Sequence, residues 1–427
     1  MKKTILASLL CTLTLVSISG YAQDAVKPKA ANNSANANAV PTANVDDQST
    51  TPIDESSSLT SDDLLAKLNQ TFGRTNMIPN FDWTRYVQIH GGFFIDGRWG
   101  NTSNNTTGVN NDTISINDAY LDVQAKPNDW AKLNVVINYF DPSNTYAPLR
   151  LGKDSDQFYV DQAYITIGNL DRYPFYLQAG KQYIPFGRYD LYPITKSFVQ
   201  VLTESNQTDV QAGFITERGL YGSAYVFENP VSEGSASGDE STNFGVSLGF
   251  ARDINAVDID MGVDYLYDMT AVDAINARIQ TTGSDYYRDR VAAISPYFHA
   301  SSGPFGFEAE YVTALESFNK ADVPYKASSS DGAQPWAVDT QIDYKFKLND
   351  TDNQIYVGAQ WSGEASGVGL PDTRYLVGYN WYPWPNTLLG AQITRDEEYG
   401  SDTLDYDGNT SGGDDYYTFS LRAGVKF

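Results

Sequence analysis

The chain has 427 residues and a formal net charge of −24, from 53 Asp and Glu against 29 Lys and Arg. So acidic a surface excludes nucleic acid as an expected partner. A mean hydropathy of −0.39 with 41% hydrophobic residues excludes a bundle of membrane helices.

Residues 1–22 have the layout of a secretory signal. Lys2 and Lys3 give the positive start, Ile5 to Ile18 the apolar stretch, and Gly20-Tyr21-Ala22 the small residues before cleavage. The expected mature start is Gln23. Leu10 before Cys11 is too large for lipoprotein processing. Cys11, the single cysteine, leaves with the signal, so no disulfide or thiol chemistry is expected. Residues 23–57 are Ala, Asn, Ser, Thr, Pro and Asp with few large apolar side chains, a periplasmic linker that cannot bury enough surface to fold. Thr60-Ser61-Asp62-Asp63 then starts a short periplasmic helix over 58–75, with Leu64, Leu65, Leu68 and Phe72 on one face. It could plug a barrel, pair with copies of itself, or rest at the barrel's foot. No apolar run after residue 22 is long enough to cross a bilayer as a helix.

From 86 to 427 the pattern changes to period two. Ala131–Tyr139, Val257–Tyr267 and Trp336–Phe346 alternate apolar and polar residues, as half-buried strands do. The connections say more. Seven are short, near 126–129, 168–173, 216–219, 252–256, 301–304, 347–352 and 382–386. Eight long polar ones alternate with them, near 99–112, 140–156, 183–207, 228–241, 268–289, 315–335, 362–373 and 396–415. Short turns on one side and long loops on the other are the asymmetry of an outer-membrane barrel. The predicted fold is therefore all-β: a transmembrane antiparallel β-barrel of about sixteen strands, in the cell outer membrane. The closing stretch, YYTFSLRAGVKF at 416–427, puts Tyr417, Phe419, Leu421, Val425 and Phe427 on one face. It resembles the C-terminal strand that the barrel assembly machinery reads at a terminal Phe. The 30 Tyr fit the same reading, since an amphipathic ring suits a lipid–water boundary. Trp336, Phe346, Tyr375, Trp381, Tyr417 and Phe427 are the expected girdles. The face of Phe158–Ile167 is left open, because its alternation is weak.

Catalysis has little to stand on. His90 and His299 lie far apart, each in a predicted strand, with no Ser or Asp partner pattern and no metal-ligand spacing. No enzyme activity and no cofactor are expected. The lumen is the better functional surface. Alternation turns Arg422 and Lys426 inward, with Asp258, Asp260, Asp264, Asp339, Asp343, Glu308, Glu310, Lys132 and Lys345, joined by Asp118 and Asp122. Charges at the narrowest point would set selectivity. One stretch is sharper: QAGKQYIPFGRYDL at 178–191 resembles the strand-to-loop segment of several sixteen-stranded porins. Pro185 and Gly187 would turn the chain there. The loop that follows either folds inward, placing Lys181, Arg188 and Lys196 at a constriction, or stays at the surface. The last loop crowds Asp402, Asp405, Asp407, Asp414 and Asp415, which allows a calcium ion or a solvated acidic loop.

Taken whole, the signal, the linker, the Asp-Asp-Leu-Leu helix, the Tyr-rich barrel and the pieces QIHGGFFID and AGKQYIPFG resemble the LbtU-type siderophore porins. The resemblance implies uptake of a ferric siderophore through the lumen, and it carries no ligand motif to transfer. Some 340 residues of strand region leave no room for a folded plug, so direct energisation is not expected. An anionic siderophore sits awkwardly with the net acidity, and Lys181, Arg188, Arg374 and Arg422 are the basic patch that would admit it. A general diffusion porin needs the same architecture. A barrel-anchored surface interaction protein is the third reading, with acidic loops meeting other cells. Outer-membrane lipid and lipopolysaccharide are the expected surroundings, and a homotrimer is expected by analogy with sixteen-stranded porins.

Overall fold

The structure, a computed structural model, describes residues 86–100, 112–139, 141, 158–188, 191, 193–234, 241–281, 286–406, 408–410 and 415–427. The expected signal, linker and 58–75 helix lie outside the described residues. Sixteen strands of the described residues close a barrel. In chain order they are β1 (Val87–Gly100), β2 (Asp112–Asn128), β3 (Ala131–Tyr139), β4 (Phe158–Ile167), β5 (Phe175–Tyr183), β6 (Asn206–Ile215), β7 (Leu220–Glu228), β9 (Thr242–Ile254) and β10 (Val257–Leu266). They continue with β12 (Ala293–Ser302), β13 (Phe305–Ala314), β14 (Trp336–Leu348), β15 (Thr351–Gly363), β16 (Thr373–Tyr382), β17 (Thr387–Glu397) and β18 (Tyr416–Lys426). Two further pieces, β8 (Ser232–Glu233) and β11 (Tyr286–Tyr287), pair in parallel with each other outside the wall. Every wall strand is antiparallel to both neighbours, and the seam is β1 against β18, from Gly92↔Lys426 to Gly100↔Thr418. Closure leaves no edge, so backbone groups are satisfied within the lipid.

Local chemistry explains the hairpins. Asn255-Ala256 and Asn349-Asp350 are two-residue turns with φ of 52°, 67°, 50° and 61°. Positive φ at both central residues matches the right-handed twist of the flanking strands. Asn and Asp accept that region more readily than most residues. The weak alternation of β4 also has a cause. Val136 pairs Gln162, and Ile137 pairs Val160, so Asp161 is an extra residue. This bulge resets the parity. Phe158 and Val160 face out before it, and Ile165 and Ile167 face out after it.

Outward positions form an apolar belt that includes Leu133, Val246, Met261, Val357, Val377 and Leu421, all exposed. Tyr375, Trp381, Tyr417 and Phe427 are exposed on the same surface. A Lys or Arg placed at the midplane of such a belt costs about 2–4 kcal/mol. Inward positions are polar: Asp122, Asp260, Asp264, Glu308, Glu310, Gln354 and Gln392 are all buried inside the barrel. No described helix is long and apolar enough to cross a membrane.

At the long-loop end, connections pack onto one another. The helices α1 (Phe198–Thr203) and α2 (Asp273–Thr281) lie in an apolar cluster with Leu266, Tyr287, Phe318 and Leu370. Asp268 starts the turn before α2, accepting from Thr270 N at 3.1 Å and from Asn229 Nδ2 at 3.0 Å. Burial pushes its carboxyl above the usual range, against those hydrogen bonds.

Candidate functional site: a lumen crossed by one loop

The connection from β5 to β6, residues 184–205, folds inward. Its base is clipped by Ile184 N donating to Ser205 O at 3.1 Å. From there it meets the wall in sequence. Gly187 N donates to Asp264 Oδ2 on β10 at 3.0 Å. Ile194 N donates to Gln392 Oε1 on β17 at 2.7 Å, and Ile194 O accepts from Arg422 Nη2 on β18 at 2.9 Å. Lys196 O accepts from Arg374 Nη1 on β16 at 3.3 Å. Val199 N donates to Asp339 Oδ2 on β14 at 2.8 Å. In the ring of strands, β15 to β17 stand opposite β5 and β6. The loop therefore spans the lumen, lands on the far wall and returns. That settles the direction in favour of the inward reading.

Two glycines make the path feasible. Gly180, in β5, has φ +139°, and a Cβ there would sit 2.3 Å from Ala163 O. Gly187 has φ +83°, and a Cβ there would meet Thr203 Oγ1 at 2.3 Å. Both stand in a backbone region that L side chains avoid. The return arm is a short helix: Ser197 accepts from Gln200 N, while Asp339 accepts from Val199 N. Phe198, Val199 and Leu202 then pack into the apolar cluster.

The predicted site residues fall in different places. Arg188 is buried and donates to Asp260 Oδ2 at 3.0 Å and to the Tyr221 hydroxyl at 2.6 Å, with its guanidinium 4.6 Å from the Tyr297 ring. Arg374 holds Asp396 with two bonds, 2.6 and 2.8 Å, and lies 4.9 Å from the Phe198 ring. Arg422 holds Asp96 with two bonds of 2.8 Å across the β1–β18 seam. Lys196 is on the crossing loop and pairs with Glu204 at 2.6 Å, with its side chain 43% exposed. Asp339 anchors α1, and Asp343 is buried and accepts from Gln354 Nε2 at 3.2 Å.

Lys181 is displaced from its expected place. It pairs Ala163 and Thr208, and shares the outward parity of Phe175 and Leu177. Its Nζ reaches Val160 O at 2.9 Å. The ammonium thus serves the outer face rather than the constriction, its stem lying along the wall. The basic patch also dissolves as a unit, because Arg188, Arg374 and Arg422 each close on a carboxylate. Arg188–Asp260 ties the loop to the wall, whereas Arg374–Asp396 and Arg422–Asp96 tie neighbouring wall strands, each arginine also donating to a loop carbonyl.

The other expected features resolve plainly. His299 faces Glu310 at 3.1 Å inside the wall, and His90 is buried. Among the described residues no group of three or more His, Cys, Asp or Glu is placed to hold a metal. In the last loop Asp402 pairs with Lys326, Asp415 with Arg395, and Asp405 accepts from Asn409 N. Asp407 and Asp414 lie outside the described residues. Gln392 was not singled out by sequence, since a lone Gln in an alternating strand carries no signal of its role.

No family model matches the chain. A UPF0422 protein of Coxiella burnetii is 28% identical over 305 residues, which is 70% of this chain and 63% of that protein. The UPF0422 protein of Legionella pneumophila strain Philadelphia 1 is 26% identical over 309 residues, 70% of this chain and 56% of that protein. The chain thus spans less than two thirds of the length of these curated relatives. Among solved structures, Pseudomonas putida OprB is similar with a TM-score of 0.54 at 12% identity, over 83% of this chain and 100% of that one. Salmonella typhi OmpF, solved with daunomycin, has a TM-score of 0.52 at 11% identity, over 80% and 97%. At such identities the likeness concerns the fold. Wall, belt and polar interior together make the protein a multi-pass outer-membrane β-barrel with the architecture of a porin-like channel.

Proposed function

We propose that the protein is a passive outer-membrane channel for small polar solutes, constricted by loop 184–205. The observation that carries this is the loop's passage across the lumen to Gln392, Arg422, Arg374 and Asp339. A wide barrel divided by a pinned loop filters by size and polarity at the narrow level. Assembly as a homotrimer, insertion by the barrel assembly machinery and contact with lipopolysaccharide belong to this proposal.

Uptake of a ferric siderophore is the narrower form, supported by the resemblance to LbtU-type siderophore porins. General diffusion is supported equally by the fold. The charge layout favours the broader form. The three lumen arginines named above are matched by Asp260, Asp396 and Asp96, so an anionic chelate meets no concentrated positive field. The test is solute uptake into liposomes carrying the folded full chain, beside single-channel conductance. Faster, saturable passage of a ferric carboxylate siderophore than of a solute of equal size and charge supports the narrower form. Equal and unsaturable passage supports general diffusion. A folded barrel that passes neither, and carries no current, refutes the channel.

A further inference from the structure

The crossing loop keeps one polar edge free of the wall. Lys196 is the one exposed residue among the described residues of 184–205. Lys196, Gln200 and Glu204 stand four apart, so they share one side of the short helical arm. The other side is spent. Phe198, Val199, Val201 and Leu202 are buried in the apolar cluster, where α1 lies against β13 and β14. The polar edge therefore faces away from the wall, into the open part of the channel. Its members are linked: Lys196 Nζ donates to Glu204 Oε1 at 2.6 Å, and Gln200 Nε2 donates to Glu204 Oε2 at 2.8 Å.

The backbone under this edge is pinned at both ends. Lys196 O accepts from Arg374 Nη1 at 3.3 Å, and Glu204 O accepts from Asp273 N at 2.9 Å. Neither anchor uses the side chain of residue 196 or 204, so ammonium and carboxylate can part while the loop stays in place. Parting is also cheap. The Lys196 side chain is 43% exposed and that of Glu204 15%, and an ion pair open to water holds weakly. The loop's other pair, Arg188–Asp260, is buried at both ends, and opening it would strand a charge. Of these two pairs, Lys196–Glu204 is the one a solute can enter.

We propose that Lys196 and Glu204 form a solute subsite at the constriction for zwitterions of the α-amino acid class. The inference rests on the channel reading and deepens it. The solute's carboxylate takes the Lys196 ammonium, and its own ammonium takes the Glu204 carboxylate. One ion pair thereby becomes two, each a charge-assisted hydrogen bond. An anion gains Lys196 but meets Glu204 as a like charge. A neutral hydroxyl compound offers neither charge in exchange for the pair it would have to open.

The test is entry into liposomes carrying the folded full chain, with planar-bilayer recording beside it. Alanine and lactamide are the probes: they match in size and lack net charge, and only alanine carries separated charges. Alanine should enter saturably and, at low concentration, about fivefold faster than lactamide. Glycine should compete with alanine and lactate should not; equal competition overturns the zwitterion class. Lys196→Gln and Glu204→Gln should each remove the saturation and the preference. The exchange Lys196→Glu with Glu204→Lys should restore both, because a zwitterion fits the reversed pair equally well. The exchanged charges also suit the helix dipole, so the arm keeps its support if either single variant loosens it. Equal, unsaturable entry of alanine and lactamide through a conducting wild type overturns the subsite and leaves the channel reading standing. Preference kept in the single variants, or missing from the folded exchange variant, overturns the subsite as well. A folded barrel that carries no current and passes neither probe refutes the channel reading, and the subsite with it.

Discussion

Gln392→Leu tests whether the crossing loop is held by the bonds described. Gln392 Oε1 accepts from Ile194 N at 2.7 Å, and its Nε2 donates to Thr195 Oγ1 at 3.2 Å. Leucine keeps much of the volume and removes both. Each net bond contributes about 1 kcal/mol, so the latched state loses about 2 kcal/mol, a factor of about 30 in the population of the released loop. Arg422 and Asp339 still hold their own contacts, so the barrel itself stays closed. Single-channel recording is the assay. The wild type should show a steady level, and the variant brief excursions of higher conductance with occupancy raised by about 30-fold. A heat-stable, folded variant with wild-type occupancy would show that Gln392 is not a latch, and that the remaining anchors hold the loop without it.

Three other outcomes follow from the same geometry. Glu398, just beyond β17, has its carboxyl pushed up to about 7 by burial first and by Asp396 next, with Arg374 opposing. A raised carboxylate pKa gives stability that is full below the unfolded value near 4.5 and is lost as pH rises through about 7. Thermal unfolding midpoints should fall between pH 5 and pH 8, and Glu398→Gln should flatten that fall; an unchanged slope counts against the assignment. Gly180→Ala should destabilise the barrel by about 2–4 kcal/mol, because the new Cβ meets wall backbone and cannot relax. Chemical unfolding of the refolded protein reads it, and a loss under 0.5 kcal/mol, in order of magnitude about the worth of a surface change, would refute the steric argument. Ion selectivity should favour cations, since the lumen arginines are matched while Asp343 accepts from an amide. Reversal potentials across a KCl gradient measure this, Asp343→Asn should reduce the preference, and anion selectivity in the wild type would overturn it.

Much of the wall was legible in the sequence, because a barrel imposes two independent periods on it. Alternation marks strands such as Ala131–Tyr139, and the alternation of short and long connections counts them, giving the sixteen that the structure closes. Those signals are local, and they fail where a local irregularity intervenes. One extra residue, Asp161, hides the face of β4. Lys181 shows the opposite danger: parity counted from Phe175 puts it outward, and only a motif-level resemblance points it to the lumen. The direction of loop 184–205 was not legible for a different reason. Its anchors lie far away in the chain, as with Ile194 and Gln392, 198 residues apart. Asp96 and Arg422 are 326 residues apart and meet only because the first and last strands close the seam. A sequence shows which charges a lumen holds. Whether a charge is offered to a solute or spent on the wall is decided by register, and register is a property of the closed ring.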